Sequence, residues 1–143
     1  MKADTPLILV SALLACTNAA QAGSLAIEIG DGIKPGETLM VALYDSEAQW
    51  LKKSARGIQE AAPADLGSGG KHTLRVDALA PGRYAVVVYV DRNGNGKLDR
   101  GMFGRPIEPY GFSNGGGSFG PPDFADAVID VADTGAAIHI DLN

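Results

Sequence analysis

The stretch Asp91-Arg92-Asn93-Gly94-Asn95-Gly96-Lys97-Leu98-Asp99 places four side-chain oxygen donors at alternate positions around a glycine. Oxygen-only donors at that spacing suit Ca2+, a hard dication that takes about six to eight oxygens from a tight loop. Asp91, Asn93, Asn95 and Asp99 fill the side-chain positions, and Lys97 offers its main-chain carbonyl. Gly96 falls where such a loop turns sharply, and Leu98 is expected to point away from the ion into the core. The helical form of this loop closes its shell with a bidentate Glu at the twelfth position, which here is Met102. A closing carboxylate must come from further along. Glu108 is the first choice, ahead of Asp123 and Asp126. The competing interpretation is a turn whose Asp and Asn side chains bond only their own backbone.

Other constellations fail on context. Gly116-Gly117-Ser118-Phe119-Gly120 satisfies G-x-S-x-G, but glycines precede it and Pro121-Pro122 follow, where a nucleophile elbow needs a strand and then a helix. The Gly115 to Gly120 run also satisfies G-x-G-x-x-G and lacks the strand-turn-helix setting of a dinucleotide site. His72 and His139 are the only imidazoles and Cys16 the only cysteine, too few nitrogen and sulfur ligands for a zinc site. Both histidines are expected at the surface. Trp50, beside Leu51, is expected to anchor a core rather than stack on a ligand.

The elements that must position the loop follow from period-two alternation. Leu25, Ile27 and Ile29 share one strand face with Glu28 on the other, Leu74 and Val76 alternate with Arg75 and Asp77, and Ile138, Ile140 and Leu142 alternate with His139 and Asp141. The segments 38–44 and 84–90 are apolar on both faces and should lie centrally, and 128–131 is a sixth strand. A short helix is expected over 46–55, capped by Ser46, with Trp50 and Leu51 inward. Pro81-Gly82 suits the centre of a type II turn, with Tyr84 returning its hydroxyl to the backbone as in a tyrosine corner. The fold expected is all-β, an antiparallel β-sandwich of immunoglobulin or prealbumin type. The segment 94–120 holds nine of the nineteen glycines, but Phe103, Tyr110, Phe112 and Phe119 recur in it, so it is expected to be an ordered loop clamped by the ion and those rings.

Lys2, the apolar run from Pro6 to Ala15 and Ala20-Gln21-Ala22 read as an export leader expected to span 1–22, with one domain expected over 23–143. The alternative processing uses Leu13-Leu14-Ala15-Cys16, a lipobox that would anchor the chain through Cys16. Loss of 1–22 removes one base, Lys2, and one acid, Asp4, leaving the net charge at -5. An acidic chain whose densest basic stretch is Lys52, Lys53 and Arg56 is not built to neutralise nucleic-acid phosphates. No transmembrane segment is expected.

The run from Tyr84-Ala85-Val86 through Asp91 to Asp99, then Gly104-Arg105-Pro106-Ile107-Glu108-Pro109-Tyr110-Gly111-Phe112-Ser113-Asn114 and Gly120-Pro121-Pro122-Asp123-Phe124, resembles the bacterial secreted proteins called domain-of-unknown-function family 2141. The resemblance extends over nearly all of 23–143. It implies a small exported β-sandwich and no particular reaction. It also places the family's Asp-x-Asn-x-Asn-Gly-x-x-Asp element on Asp91, Asn93, Asn95, Gly96 and Asp99, and its Gly-x-Pro-x-Glu element on Gly104, Pro106 and Glu108. Arg92 and the Gly115-Gly116-Gly117 run depart from that pattern, and Arg92 is expected to turn to solvent.

Together these readings describe an exported, periplasmic or extracellular, calcium-binding module that is not an enzyme and has a structural or protein-binding role in the cell envelope. Such a module would present an exposed apolar surface between Phe103 and Phe119 to an envelope protein. A small-ligand carrier would instead show a concave pocket lined by Tyr110, Phe112 and Phe119. A hydrolase using Ca2+ to position substrate is the least favoured and would require a carboxylate of raised pKa beside the loop.

Overall fold

Buried side chains alternate with half-buried or exposed ones along the first strand, Gly23–Ile29. The computed structural model describes residues 22–52, 55–63, 66 and 69–143. Among them lie β1 (Gly23–Ile29), β2 (Thr38–Tyr44), β3 (Arg56–Ala61), β4 (His72–Leu79), β5 (Gly82–Asp91), β6 (Tyr110–Phe112), β7 (Val128–Val131) and β8 (Ala136–Ile140). Residues 1–21, with Cys16 and nearly all of the expected leader, lie outside the described part. No helix among the described residues is long and apolar enough to cross a membrane.

Two sheets face each other. One runs β4-β1-β8, the other β3-β2-β5 with β6 and β7 along the far edge of β5. Leu25, Ile27, Ile29, Leu74 and Val76 from the first sheet meet Leu39, Val41, Leu43, Val86, Val88 and Val90 from the second. Full burial of each such side chain stabilises by about 1.5–3 kcal/mol, so this seam is the main driving force. The sandwich and the central places of β2 and β5 agree with the sequence pattern. One pairing does not: β1 and β8 run parallel, Leu25 beside Ala136 through Ile29 beside Ile140, in an otherwise antiparallel set. Alternation reports which face is buried and carries no information on strand direction.

The chain crosses between sheets from β4 to β5, and there the Tyr84 hydroxyl donates to the Ala80 carbonyl at 2.8 Å, the tyrosine-corner bond. The type II turn is not present. Gly82 does not take positive φ and instead begins β5, whereas Ala78 holds φ 58°. Among the described residues of 46–55, the expected helix does not form. A single 3-10 turn, Glu47–Gln49, is followed by Trp50 with ψ 124° and Leu51 with φ 59°, and Ser46 makes no capping hydrogen bond. Leu51 is exposed. The helix yields because the Trp50 indole is drawn to the Pro122 carbonyl, which accepts its N–H at 2.9 Å, and packs among Tyr44, Phe112 and Phe124 at centroid distances of 5.1, 6.0 and 5.9 Å. Trp50 is therefore the anchor of a second, smaller apolar cluster on the outer face of the β2-β5 sheet.

The segment 94–120 is not one loop, because β6 within it pairs with β5, Val87 beside Phe112 through Tyr89 beside Tyr110. β6 and β7 share the same edge of β5, and buried Ser113 splices them. Its Oγ accepts the Val86 N–H at 2.8 Å and donates to the Ala127 carbonyl, while its own N–H bonds the Val86 carbonyl at 2.9 Å. Asn114, at φ 60°, adds its side-chain amide to the Asp126 and Val128 carbonyls. The one-turn helix α1 (Phe124–Ala127) then delivers the chain to β7.

Of the histidines, His139 sits exposed between Glu28 at 2.9 Å and Asp141 at 2.8 Å, as expected for the solvent side of β8. His72 is more enclosed than expected, half-buried and bonded to Glu60 at 3.0 Å.

Two outcomes follow. Ser113→Ala strands a buried N–H and a buried carbonyl and should cost about 1–3 kcal/mol in urea denaturation. The Asp141 hydrogen bond, and then the charges of Asp141 and Glu28, hold the His139 imidazole above its ordinary value of 6.5 against the opposing effect of desolvation. A raised folded value means this contribution is fully present below 6.5 and is lost as pH rises through the folded value. Denaturation midpoints should fall slightly across that window, and His139→Gln should abolish the fall.

Candidate functional site

β5 ends at Asp91, whose carboxylate is buried where the ladder stops. The N–H groups that follow have no strand to pair with, and Asp91 takes three of them: Gly94 at 2.8 Å and Asn95 at 3.2 Å on Oδ1, and Gly96 at 2.7 Å on Oδ2. The loop winds around this carboxylate because Gly94 and Gly96 adopt φ of 74° and 72°, a region costly for residues with a Cβ. Asn93 Oδ1 accepts the Asn95 N–H at 3.1 Å, and Asn95 Oδ1 accepts that of Lys97 at 2.9 Å. The side-chain amides of Asn93 and Asn95 both donate to Asp99, Asn95 reaching its two oxygens at 2.9 Å. The Tyr89 hydroxyl ties the loop back to β5 by donating to the Gly96 carbonyl at 3.0 Å. Burial, reinforced by the charges of Asp91 and Glu108, pushes the Tyr89 phenol above its ordinary value.

Glu108 is buried and reaches the loop from a distant point in the sequence. Its Oε1 accepts the Arg92 N–H at 2.8 Å and its Oε2 the Asp99 N–H at 3.0 Å, so it staples the loop's entry to its exit. Asp91, Asn93, Asn95, Lys97 and Asp99 thus share one loop, and Glu108 joins them as a clamp. Asp123 and Asp126 belong instead to the start of α1. Arg92 is exposed and turns its guanidinium away from the loop, as expected, where it pairs with Glu37 at 3.0 Å and donates to the Gly32 carbonyl at 3.2 Å, fastening the β1–β2 connection.

The donor set is all oxygen, the type a hard cation selects over a transition metal. Among the described residues, no three His, Cys, Asp or Glu side chains converge as a metal-holding group. Any cation shell therefore depends on the two asparagines and a main-chain carbonyl beside Asp91 and Asp99. Asp91 and Asp99 each already accept three hydrogen bonds, which leaves each carboxylate about one of its four lone-pair sites, while the Asn93 and Asn95 amide oxygens each accept one of about two.

Beyond Asp99 the chain forms a hairpin arm. Ile107 N–H bonds the Asp99 carbonyl at 2.9 Å, Gly101 N–H bonds that of Arg105 at 2.8 Å, and Arg100 reaches the Gly104 carbonyl at 2.9 Å. The tip, Met102–Gly104, holds Phe103 in the left-handed region at φ 63°, ψ 19°. The rings were expected to clamp this segment, but Phe103 is 96 % exposed and Phe119 fully so. Clamping falls to Phe112, which is buried, and to Tyr110, whose hydroxyl donates to the Gly117 carbonyl at 2.6 Å. Leu98 is half-buried and lines an open groove with Tyr110 and Phe112 rather than entering the main core. Ser118 is exposed in a turn with no helix directly after it, unlike a nucleophile elbow. The staple of Glu108 and the splice of Ser113 were not readable as such, because each joins backbone groups that are adjacent only in the fold.

The chain matches no curated protein and no solved structure. A family model described as an uncharacterized protein conserved in bacteria (DUF2141) matches residues 27–139. That span runs from β1 into β8 and takes in the loop, the Glu108 staple and the hairpin arm. The chain is a member of this bacterial DUF2141 family.

Proposed function

We propose that this protein is an exported, calcium-binding β-sandwich module with a structural or binding role in the cell envelope, and not an enzyme. The observation that carries the calcium reading is the Asp91 to Asp99 loop, in which Asn93 and Asn95 turn toward Asp99 while Asp91 organises the backbone from within. Asp91, Asn93, Asn95, Asp99 and the Lys97 carbonyl would hold the ion, with Glu108 closing the loop behind them. A cation there competes with the Asn93 and Asn95 amide groups for Asp99, and each hydrogen bond displaced costs about 1 kcal/mol. The affinity is accordingly weak, on the order of 10⁻⁴ to 10⁻³ M, suited to a compartment where calcium is abundant. A bound ion would stiffen the base of the hairpin arm that carries Met102 and Phe103.

The carrier reading is favoured by one observation of its own. Tyr110, Phe112 and Phe119 line a common groove beside the loop.

At calcium about ten times the dissociation constant, mass action adds about 1.4 kcal/mol to stability, a rise in melting temperature of roughly 5 °C for a domain of this size. Chelator should reverse it, and Asp99→Asn, which keeps the side-chain shape, should lose the response, as should the Asp91→Ala, Asp99→Ala double variant. A melting temperature indifferent to millimolar calcium reduces the loop to a turn. Glu108→Gln replaces one acceptor oxygen with a donor facing an N–H group and should cost about 1–3 kcal/mol even in chelator. A loss seen only with calcium present would make Glu108 purely a ligand.

A further inference from the structure

The second apolar cluster on the outer face of the β2-β5 sheet is not fully covered, and beside it opens a groove of about 740 Å³. Val87 and Phe112, both nearly buried, form its floor, and half-buried Tyr110 lines it together with half-buried Leu98 at the base of the hairpin arm. Two rings from separate segments complete it: Phe103 from the arm tip and Phe119 from the turn that follows Gly117. Both are exposed almost entirely, so neither gains the burial energy that normally holds a phenylalanine in place. Phe103 is also held at positive φ, at a cost of order 1–3 kcal/mol for a non-glycine residue. A strained, wet aromatic ring beside an apolar groove is what a site looks like before its ligand covers it.

Charge narrows the ligand class. The chain carries a net charge of -5, yet none of the sixteen residues lining the groove is acidic and two are arginines, Arg100 and Arg105. Hydrogen bonding narrows it further. The edge of β6 away from β5 is occupied by the last residue, whose N–H bonds the Tyr110 carbonyl at 2.8 Å while its side chain reaches the Gly116 carbonyl at 3.1 Å. An extended peptide would find no open ladder there to add to. The volume lies within the range of sites that enclose one small ligand.

We propose that this groove binds a single-chain carboxylate amphiphile of the fatty-acid class. The acyl chain lies along Tyr110 and Leu98 above the floor formed by Val87 and Phe112 and is covered by Phe103 and Phe119, and the carboxylate meets the guanidinium of Arg105, with Arg100 beside it. This rests on the carrier reading of the groove and is independent of calcium.

Trp50 is the only tryptophan, and its ring lies 6.0 Å from that of Phe112, so it reports on groove occupancy. The purified protein is titrated with nitroxide-labelled stearate below its micellar concentration, in calcium and in chelator, and the label is then displaced with dodecanoate or dodecanol. The expected result is saturable quenching of Trp50 at one site, displaced by dodecanoate at a concentration about tenfold or more below that needed for dodecanol. Affinity should drop about tenfold or more in a Phe103→Ser, Phe119→Ser variant and in Arg105→Gln, with melting temperatures unchanged because these side chains are outside the core. Absence of saturable quenching overturns the proposal. Equal displacement by dodecanol overturns the charged head, and quenching seen only with nitroxide lipid in vesicles overturns it in favour of a membrane surface. Quenching that persists in chelator while melting ignores calcium leaves the groove standing and removes the calcium reading alone.

Discussion

Where β5 runs out of partners, five backbone N–H groups enter a turn with no ladder to join, and a buried N–H left without an acceptor costs as much as a lost hydrogen bond. Two carboxylates resolve this. Asp91 takes the N–H groups of Gly94, Asn95 and Gly96, and Glu108 takes those of Arg92 and Asp99. The first works within the loop and the second reaches it from the far side of the hairpin arm. Both carboxylates are buried, and the remaining side chains of the loop gather on its outer side, where Asn93 and Asn95 bond Asp99.

That division bears on everything outward of the sandwich. The arm leaves the loop at Asp99 and returns at Ile107, so the position of Met102 and Phe103 is set by the same staple that closes the loop. On the other side of β6, the Ser113 splice and the Tyr110 bond to the Gly117 carbonyl hold the turn that carries Phe119. Trp50 reaches across from the end of β2 to grip the Pro122 carbonyl. Two loops rich in glycine are thereby held to one strand edge, with an apolar groove between aromatic and basic side chains beside it. Glycine at positive φ permits those turns, and bonds from distant residues select them.

Much of this fold was legible because a half-buried strand needs side chains of alternating character. Leu25, Ile27 and Ile29, the doubly apolar 38–44 segment and the Tyr84 corner were found where alternation and turn chemistry placed them. β3 was missed because Arg56–Ala61 is an exposed edge strand with Ile58 as its one large apolar residue, leaving little pattern to read. β6 was missed because three residues centred on Gly111 make too short a run, and that glycine is needed where the Asp141 carbonyl and Ile140 press against the strand. The 46–55 segment has the spacing of an amphipathic helix, but one tertiary contact, Trp50 on Pro122, outweighs the small per-residue preference for helix.

Read alone, the sequence determined the oxygen-rich loop, the glycine that turns it, the sandwich around it and the family to which the chain belongs, because these rest on residue type and short spacing. Tertiary structure alone decided that Glu108 serves as a staple, that Ser113 splices two strands onto one edge, and that Phe103 and Phe119 stand in solvent instead of clamping their loops. The reason is physical. Alternation and turn chemistry act between neighbours in the chain, whereas satisfying a stranded N–H or covering a ring depends on which distant segment the packing of two sheets brings within reach.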